Sequence, residues 1–265
     1  MYKFCMSHIY YPYMDEINYQ PVGLGSATFP KNWITDKTGD NISNKNKYYD
    51  MYSFHYWLWK NKLKSLEDNK WICFSNYRRF WKSNNQDNLN GNLKDKIIQT
   101  VPSEWNGYEA ILTEPTDLTN FKISKMIKKG KLLILKKPGA LFNQKKRTIK
   151  FHFDIMHKSG NLDKAVKLIN DNDRDEFINY LENETSLHAW NLLCCRSKSL
   201  LNSWYTNVFD WLFKCEQIFG FENLSGYETG RIYAYLAERY LPFWFKKYSK
   251  PISWPWSFFD NTLIK

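Results

Sequence analysis

Short apolar or alternating runs recur through the first half of the chain, at Tyr2–Ser7, Trp71–Ser75, Tyr108–Leu112 and Leu132–Leu135. Each is of strand length, and helical patterns separate several of them, so the pattern predicts an α/β sheet in the amino-terminal half. Ser43 is placed to cap a helix running to about Asn61, because Tyr48, Tyr52, His55 and Trp59 recur at three- and four-residue spacing and so share one aromatic face. The carboxy-terminal half reads as helical. Leu201, Trp204, Val208, Trp211, Leu212, Cys215 and Ile218 keep helical spacing up to Gly220, a natural stop, and a second helix is expected from about Thr229 to Leu241, ended by Pro242. Beyond Lys250, the tail carries Pro251, Trp254, Pro255, Trp256, Phe258 and Phe259. It is too rich in proline and aromatics for a regular helix and is expected either to pack extended over the body or to touch a membrane surface.

Composition sharpens this picture in three ways. A chain of 265 residues with 43% hydrophobic and 18% aromatic side chains has ample material for a core, as one large domain or two small ones. Neither an internal repeat nor a linker stands out. Cys5, Cys73, Cys194, Cys195 and Cys215 show no CxxC or Cys/His ligand spacing, so they read as buried thiols in a reducing compartment and not as a disulfide framework or zinc site. The amino terminus has no basic-then-apolar signal pattern and no apolar run approaches the ~18 residues of a membrane span, which predicts a cytoplasmic protein.

The charge is uneven. Phe121–Lys150 holds eleven of the 38 Lys and Arg and none of the 27 Asp and Glu, which accounts for the whole net charge of +11. A charge confined to one segment marks a face that meets an anionic surface, or else a run of solvated lysines.

Three constellations could carry chemistry. Thr38-Gly39-Asp40-Asn41-Ile42-Ser43 joins a glycine turn, a carboxylate, an amide and a helix start, which either presents polar groups and a helix N-terminus to a ligand or is an Asx turn that only starts the helix. Trp71–Phe80 is an apolar strand that runs into Arg78 and Arg79. Ligands of open α/β sheets bind at the carboxyl ends of strands, and two guanidinium forks there match a diphosphate; salt-bridged arginines at a surface strand end are the alternative. Arg231 and Glu238, seven residues apart, are expected on one helix face, as a structural ion-pair network or as a site wall with a carboxylate available as base. The histidines make no metal-ligand pattern, and HExxH, P-loop, GxSxG and GxGxxG are all missing.

These stretches together resemble a bacterial family of capsular and lipopolysaccharide gene clusters, first described as a domain of unknown function and grouped with GT-A-like glycosyltransferases. The resemblance rests on Ser7-His8, the Thr38–Ser43 turn, Tyr56-Trp57-Leu58-Trp59-Lys60-Asn61, Tyr77-Arg78-Arg79-Phe80, Asn191-Leu192, and Arg231 with Glu238-Arg239, in the family's order over most of the chain. The chain departs from the family pattern at Asn76, where His is usual, and at Leu192, where Met is usual. The stretch Trp81–Lys131 looks longer and less regular than the family's helix, and the family's histidine-rich segment is represented by His152–His157.

The resemblance implies one GT-A-like, Rossmann-like domain over 1–265: a mixed sheet flanked by helices, sheet-rich and donor-binding over 1–150, helical over 151–249, with the tail at 250–265. It implies transfer of a hexose, galactofuranose for some members, from a nucleotide diphosphate donor, UDP foremost, onto a surface polysaccharide or lipid-linked glycan. Glu238 and, second, Asp40 are the catalytic candidates. His8, Gly39, Asp40, Asn41, Tyr77, Arg78, Arg79, His157, Asn191 and Arg231 are the substrate-binding candidates.

Where typical members of the wider group place an Asp-x-Asp metal site, this chain has Asn76-Tyr77-Arg78-Arg79, so metal-independent transfer is expected, with no cofactor required. Asp154 and Asp163 keep Mn²⁺ or Mg²⁺ in play. Residues 121–150 then suit an anionic membrane surface, as for a peripheral protein on the inner face of the cell membrane, or a lipid-diphosphate acceptor, and no nucleic acid is expected as partner. Two rival readings stand beside the transferase: a non-catalytic binding module for nucleic acid or anionic surfaces, and a degenerate nucleotide-sugar-binding member of the family.

Overall fold

The structure is a computed structural model and describes residues 1–84, 92–120, 123–136 and 138–260. The strands are β1 (Tyr2–Ser7), β2 (Gln20–Gly23), β3 (Ile34–Thr35), β4 (Ile72–Asn76), β5 (Arg79–Trp81), β6 (Ala110–Thr113), β7 (Thr116–Asp117), β8 (Ser186–Leu187), β9 (Leu193–Cys195), β10 (Pro251–Trp254) and β11 (Trp256–Phe258). The α-helices are α1 (Asn46–Tyr49), α2 (Tyr52–Asn61), α3 (Leu93–Lys96), α4 (Ile123–Lys136), α5 (Gly139–Phe142), α6 (Ile149–Met156), α7 (Asn161–Val166), α8 (Asp171–Asn183), α9 (Lys198–Phe219), α10 (Gly226–Thr229) and α11 (Ile232–Tyr248). By internal packing the chain forms two compact units: Met1–Glu114 with Trp190–Thr206 and Phe245–Lys265, and Pro115–Ala189 with Asn207–Trp244.

The first unit is built on a mixed sheet in the order β10-β6-β9-β4-β1-β2-β3, with β5 paired to β4 and to β11. β4, β1, β2 and β3 run parallel to one another. β9 is antiparallel to β4 and β6. Every residue of β4 is buried, as expected of a strand covered on both faces, which is why it reads as an unbroken apolar run in the sequence. The aromatic helix α2 lies over this sheet: Phe54 packs on Phe4 with ring centroids 5.3 Å apart, and His55 lies 4.3 Å from Phe74.

The second unit is helical, with the small β7–β8 sheet. Met126, Leu133, Ile134, Ala140, Phe151, Ile155 and Met156 form one of its apolar clusters. Phe177 packs against Trp211, Tyr240 and Phe243 in another. Among the described residues, no helix is long and apolar enough to cross a membrane.

The α/β class with a mixed sheet and flanking helices is as expected, and β1 matches its predicted bounds. Several local expectations fail, each for a physical reason. Leu132–Leu135 lies in α4: a four-residue apolar run fits either structure, and here Met126, Leu133 and Ile134 turn inward at helical spacing. Asp50 (φ 52°, ψ −129°) breaks the helix expected from Ser43 to Asn61 into α1 and α2, and Ser43 caps neither. α11 passes through Pro242, because burial of Leu241, Phe243, Trp244 and Phe245 at ~1.5–3 kcal/mol each outweighs the ~3 kcal/mol cost of an internal proline.

The tail is extended and packed on the body, the first of the two expected outcomes, and it does so by supplying β10 and β11 to the sheet. The stretch expected to be irregular, Trp81–Lys131, contains α3, β6 and β7 and the start of α4; residues 85–91 and 121–122 within it lie outside the described residues. Cys5, Cys195 and Cys215 are buried thiols as expected, whereas Cys73 and Cys194 face each other across β4 and β9 and are joined by a disulfide.

Candidate functional site

Because β4, β1, β2 and β3 are parallel neighbours, their carboxyl ends lie along one edge of the sheet. That edge gathers Tyr77 and Arg78 after β4, His8 after β1, Gly25 after β2 and Asp36 after β3, where Asp36 accepts from the Gly25 N–H. β9 runs the other way, so its entry residues Trp190 and Asn191 lie at the same edge. The first unit therefore brings to one edge His8, Tyr77, Arg78, Arg79 and Asn191, the place where open α/β sheets take their ligands, whereas Gly39, Asp40 and Asn41 lie by the C-terminal end of α2, away from the Asp50–Tyr52 end that meets His8 and Asn191.

The arginines sit on a tight turn, since Asn76 of β4 pairs directly with Arg79 of β5. The Asn76 Oδ1 accepts the Arg78 backbone N–H at 3.1 Å, so the residue that departs from the family pattern closes the turn. The turn is tied down elsewhere too. Tyr77 N–H donates to the Met6 carbonyl at 3.0 Å, and Phe259 N–H to the Arg78 carbonyl at 2.8 Å. The Tyr13 hydroxyl donates to the Tyr77 carbonyl. The Arg78 guanidinium lies over the Tyr77 ring at 4.9 Å, and Tyr77 stacks on Tyr11 at 5.3 Å. Arg79 lies 3.8 Å over the Trp190 ring and 5.7 Å over that of Phe258. Among the described residues, the buried Arg78 Nε has no hydrogen-bond partner.

The Thr38–Ser43 turn is seated on the far end of α2. Asp40 N–H donates to Asn61 Oδ1 at 3.1 Å while Asn61 Nδ2 donates back to the Asp40 carbonyl at 2.7 Å. Trp57 Nε1 donates to Thr38 Oγ1 at 3.0 Å and the Tyr56 hydroxyl to Asp40 Oδ1 at 3.1 Å. Burial and the Asp40 carboxylate push the Tyr56 phenol up to about 12. Asn41 Oδ1 accepts from the Ser43 N–H, so the Asx turn is present, and Asp40 remains exposed above it. Gly39 has φ 59° and a Cβ there would lie 2.1 Å from Asn61 Oδ1. Gly39→Ala is therefore expected to break the Asn61–Asp40 pair and cost about 1–3 kcal/mol, readable as a lowered denaturation midpoint.

Two features were invisible in the sequence. His8 Nε2 meets Asp50 Oδ1 at 2.8 Å. Asp50 holds its left-handed backbone because its carbonyl accepts from Asn46 Nδ2 at 2.9 Å, with Ser53 Oγ 3.0 Å away. The single Ser53 hydroxyl proton goes to the closer acceptor, the fully buried Asp36 at 2.5 Å, whose carboxyl is raised chiefly by desolvation. Trp190 and Asn191 take φ 81° and 54°, and the Tyr52 hydroxyl donates to Asn191 Oδ1 at 3.3 Å. No residue type or spacing signals a tryptophan in the left-handed region, where bulky side chains are rare. The continuous aromatic spacing of Tyr48, Tyr52 and His55 conceals the break at Asp50.

The remaining candidates belong to the second unit. Glu238 is ion-paired with the buried Arg239, whose Nη2 lies 3.4 Å from His152 Nδ1. His157 is buried, stacked 3.9 Å from Tyr235, with Nδ1 3.2 Å from the Glu228 carbonyl. Arg231 is exposed at the start of α11, its carbonyl accepting the Tyr235 N–H at 3.0 Å, seven residues before Glu238 on the same helix. Asp154 accepts from the Gly160 N–H and Asp163 pairs with Lys150 at 2.7 Å. Among the described residues, no three His, Cys, Asp or Glu side chains converge as a metal site would require.

An open mixed sheet flanked by helices, with two arginines on a clamped turn at its carboxyl edge, makes this an α/β protein. The family model described as a domain of unknown function, DUF4422, matches residues 3–250, and the chain belongs to that family. No curated protein matches the sequence. The apo structure of the bifunctional glycosyltransferase WbbM shares the fold, with a TM-score of 0.67 over 98% of this chain at 16% identity. The likeness covers 45% of that protein, so this chain spans less than half of its length.

Proposed function

We propose that the protein is a glycosyltransferase that moves a hexose, galactofuranose or another, from a UDP-linked diphosphate donor onto a surface polysaccharide or lipid-linked glycan. The observation that carries this reading is the Asn76–Arg79 turn, clamped at the carboxyl edge of the sheet with the Arg78 Nε donor unused among the described residues. A guanidinium held at such an edge offers planar donors to phosphate oxygens without first having to be ordered. The fold shared with a glycosyltransferase supports the same reading.

In this reaction the bond from the anomeric carbon to the diphosphate oxygen breaks, and its electron pair leaves on the diphosphate. A bond to the acceptor oxygen forms, and the hydroxyl proton passes to a carboxylate. Arg78 and Arg79 stabilise the charge that builds on the leaving diphosphate. Tyr77, His8 and Asn191 line the same edge for the rest of the donor, and Gly39, Asp40, Asn41, His157 and Arg231 are substrate-binding candidates by family resemblance. Glu238 and Asp40 are the candidates for the base. Glu238→Gln and Asp40→Asn separate them: the variant that keeps donor binding yet loses about 10²–10⁴-fold in transfer rate identifies it.

Charge stabilisation by arginines predicts that EDTA leaves turnover unchanged. Turnover lost in EDTA and restored by Mn²⁺ would instead place the leaving-group charge on a metal. The direct test of the function is a thermal-shift panel of nucleotides and nucleotide sugars followed by transfer assays. A UDP-selective shift is expected, and no shift with any nucleotide would sink the reading.

A further inference from the structure

The basic segment is not uniform once folded. Arg147 is buried and serves the fold: its Nε donates to the Ala140 carbonyl at 3.0 Å, Nη2 to that of Leu141 at 3.1 Å, and Nη1 to that of Thr119. Lys150 is held between Asp163 at 2.7 Å and Glu182 at 2.9 Å. These two cations are spent inside the unit.

What the segment presents outward is different. In α4, Met126, Leu133 and Ile134 turn inward while Lys128, Lys131 and Leu135 are exposed. The helix departs from regular geometry at Gly130 (φ −121°), where a Cβ would lie 2.9 Å from Ile155 Cγ1, so glycine lets the chain press close to α6. The loop that Arg147 closes is exposed from Phe142 to Lys146. Leu135 and Phe142 are 70% and 87% exposed, and no other large apolar side chain among the described residues matches either.

We propose that this face is a membrane-docking surface for an anionic bilayer, with Lys128, Lys131, Lys145 and Lys146 against the lipid headgroups and Leu135 and Phe142 as apolar pegs at the acyl boundary. Lysines alone would suit any polyanion. Large apolar side chains set among them, one ending a short helix braced by a buried guanidinium, match the layered chemistry of a lipid interface, where charge and apolar contact add. A nucleic acid offers the charge but gives the two pegs no apolar layer to enter. The inference concerns the second unit alone and does not depend on the donor-site reading.

The test is co-sedimentation of the whole chain with vesicles of phosphatidylcholine, alone or mixed with phosphatidylglycerol, across a salt series. The wild type should bind only the anionic vesicles and lose binding as salt rises. Leu135→Gln with Phe142→Gln should lower partitioning about tenfold at low salt, and Lys128→Glu with Lys131→Glu should lower it by at least as much. All four side chains are exposed, so both variants should melt with the wild type. Equal binding to neutral vesicles, no vesicle binding, or anionic binding indifferent to the peg variant would overturn the proposal. The lipid and salt series on the wild type decides the matter even if a variant misfolds. Donor-induced thermal shifts should be unchanged in both variants, which keeps this test separate from that of the transferase.

Discussion

Arg78→Ala is expected to abolish the thermal stabilisation by a UDP-linked donor while leaving the melting temperature of the free protein close to that of the wild type. The Arg78 backbone, not its side chain, carries the contacts that hold the turn: its N–H goes to Asn76 and its carbonyl accepts from Phe259. Its guanidinium rests on Tyr77 with Nε unused among the described residues. Charge-assisted hydrogen bonds to phosphate contribute about 1.5–3 kcal/mol each, so the loss should appear as a ~10–100-fold weaker dissociation constant. Arg78→Lys keeps the charge but not the planar fork and should recover only part of the affinity. Unchanged donor affinity in Arg78→Ala would remove the diphosphate from this turn.

The second large effect concerns His55, on the buried, sheet-facing side of α2 with Nδ1 2.8 Å from the Tyr205 hydroxyl. Burial lowers its pKa from the usual 6.5 to about 3. The unfolded chain therefore binds a proton near pH 6.5 that the folded chain refuses until about pH 3. No such penalty exists above pH 6.5. Below it, folding stability falls as pH falls, at up to ~1.4 kcal/mol per pH unit from this one group. Urea denaturation at pH 7 and near pH 4.5 should show the wild type losing about 2–3 kcal/mol more than His55→Gln, which stays neutral throughout. The carboxylates titrate in both proteins and cancel in the comparison. Parallel losses would mean that His55 accepts its proton in the folded state.

How much of this was legible beforehand follows from the range of the interactions involved. Arg78 and Arg79 at a strand end could be read directly, because an apolar run bounded by charges is a local pattern. That their turn is closed by Asn76 and clamped by Phe259 could not, since residue 259 reaches it only when β11 pairs with β5. The Thr38–Ser43 turn was legible as a motif. Its hydrogen bonds to Tyr56, Trp57 and Asn61 explain why the two motifs occur together: each satisfies polar groups of the other.

The sequence by itself determined the fold class, the buried strands β1 and β4, the long helix α9 and the concentration of positive charge. Each is written in side-chain periodicity or composition within a short window. Tertiary structure alone decided that Leu132–Leu135 is helical, that α11 runs through Pro242, that the tail completes the sheet, and that Asp50 meets His8. In each case distant packing or pairing outweighs a local preference of a few kcal/mol or less. The same holds for the basic segment, where the lysine count was plain from the start. Which cations are spent inside the fold and which face outward beside Phe142 depended on Arg147 finding the carbonyls of Thr119, Ala140 and Leu141.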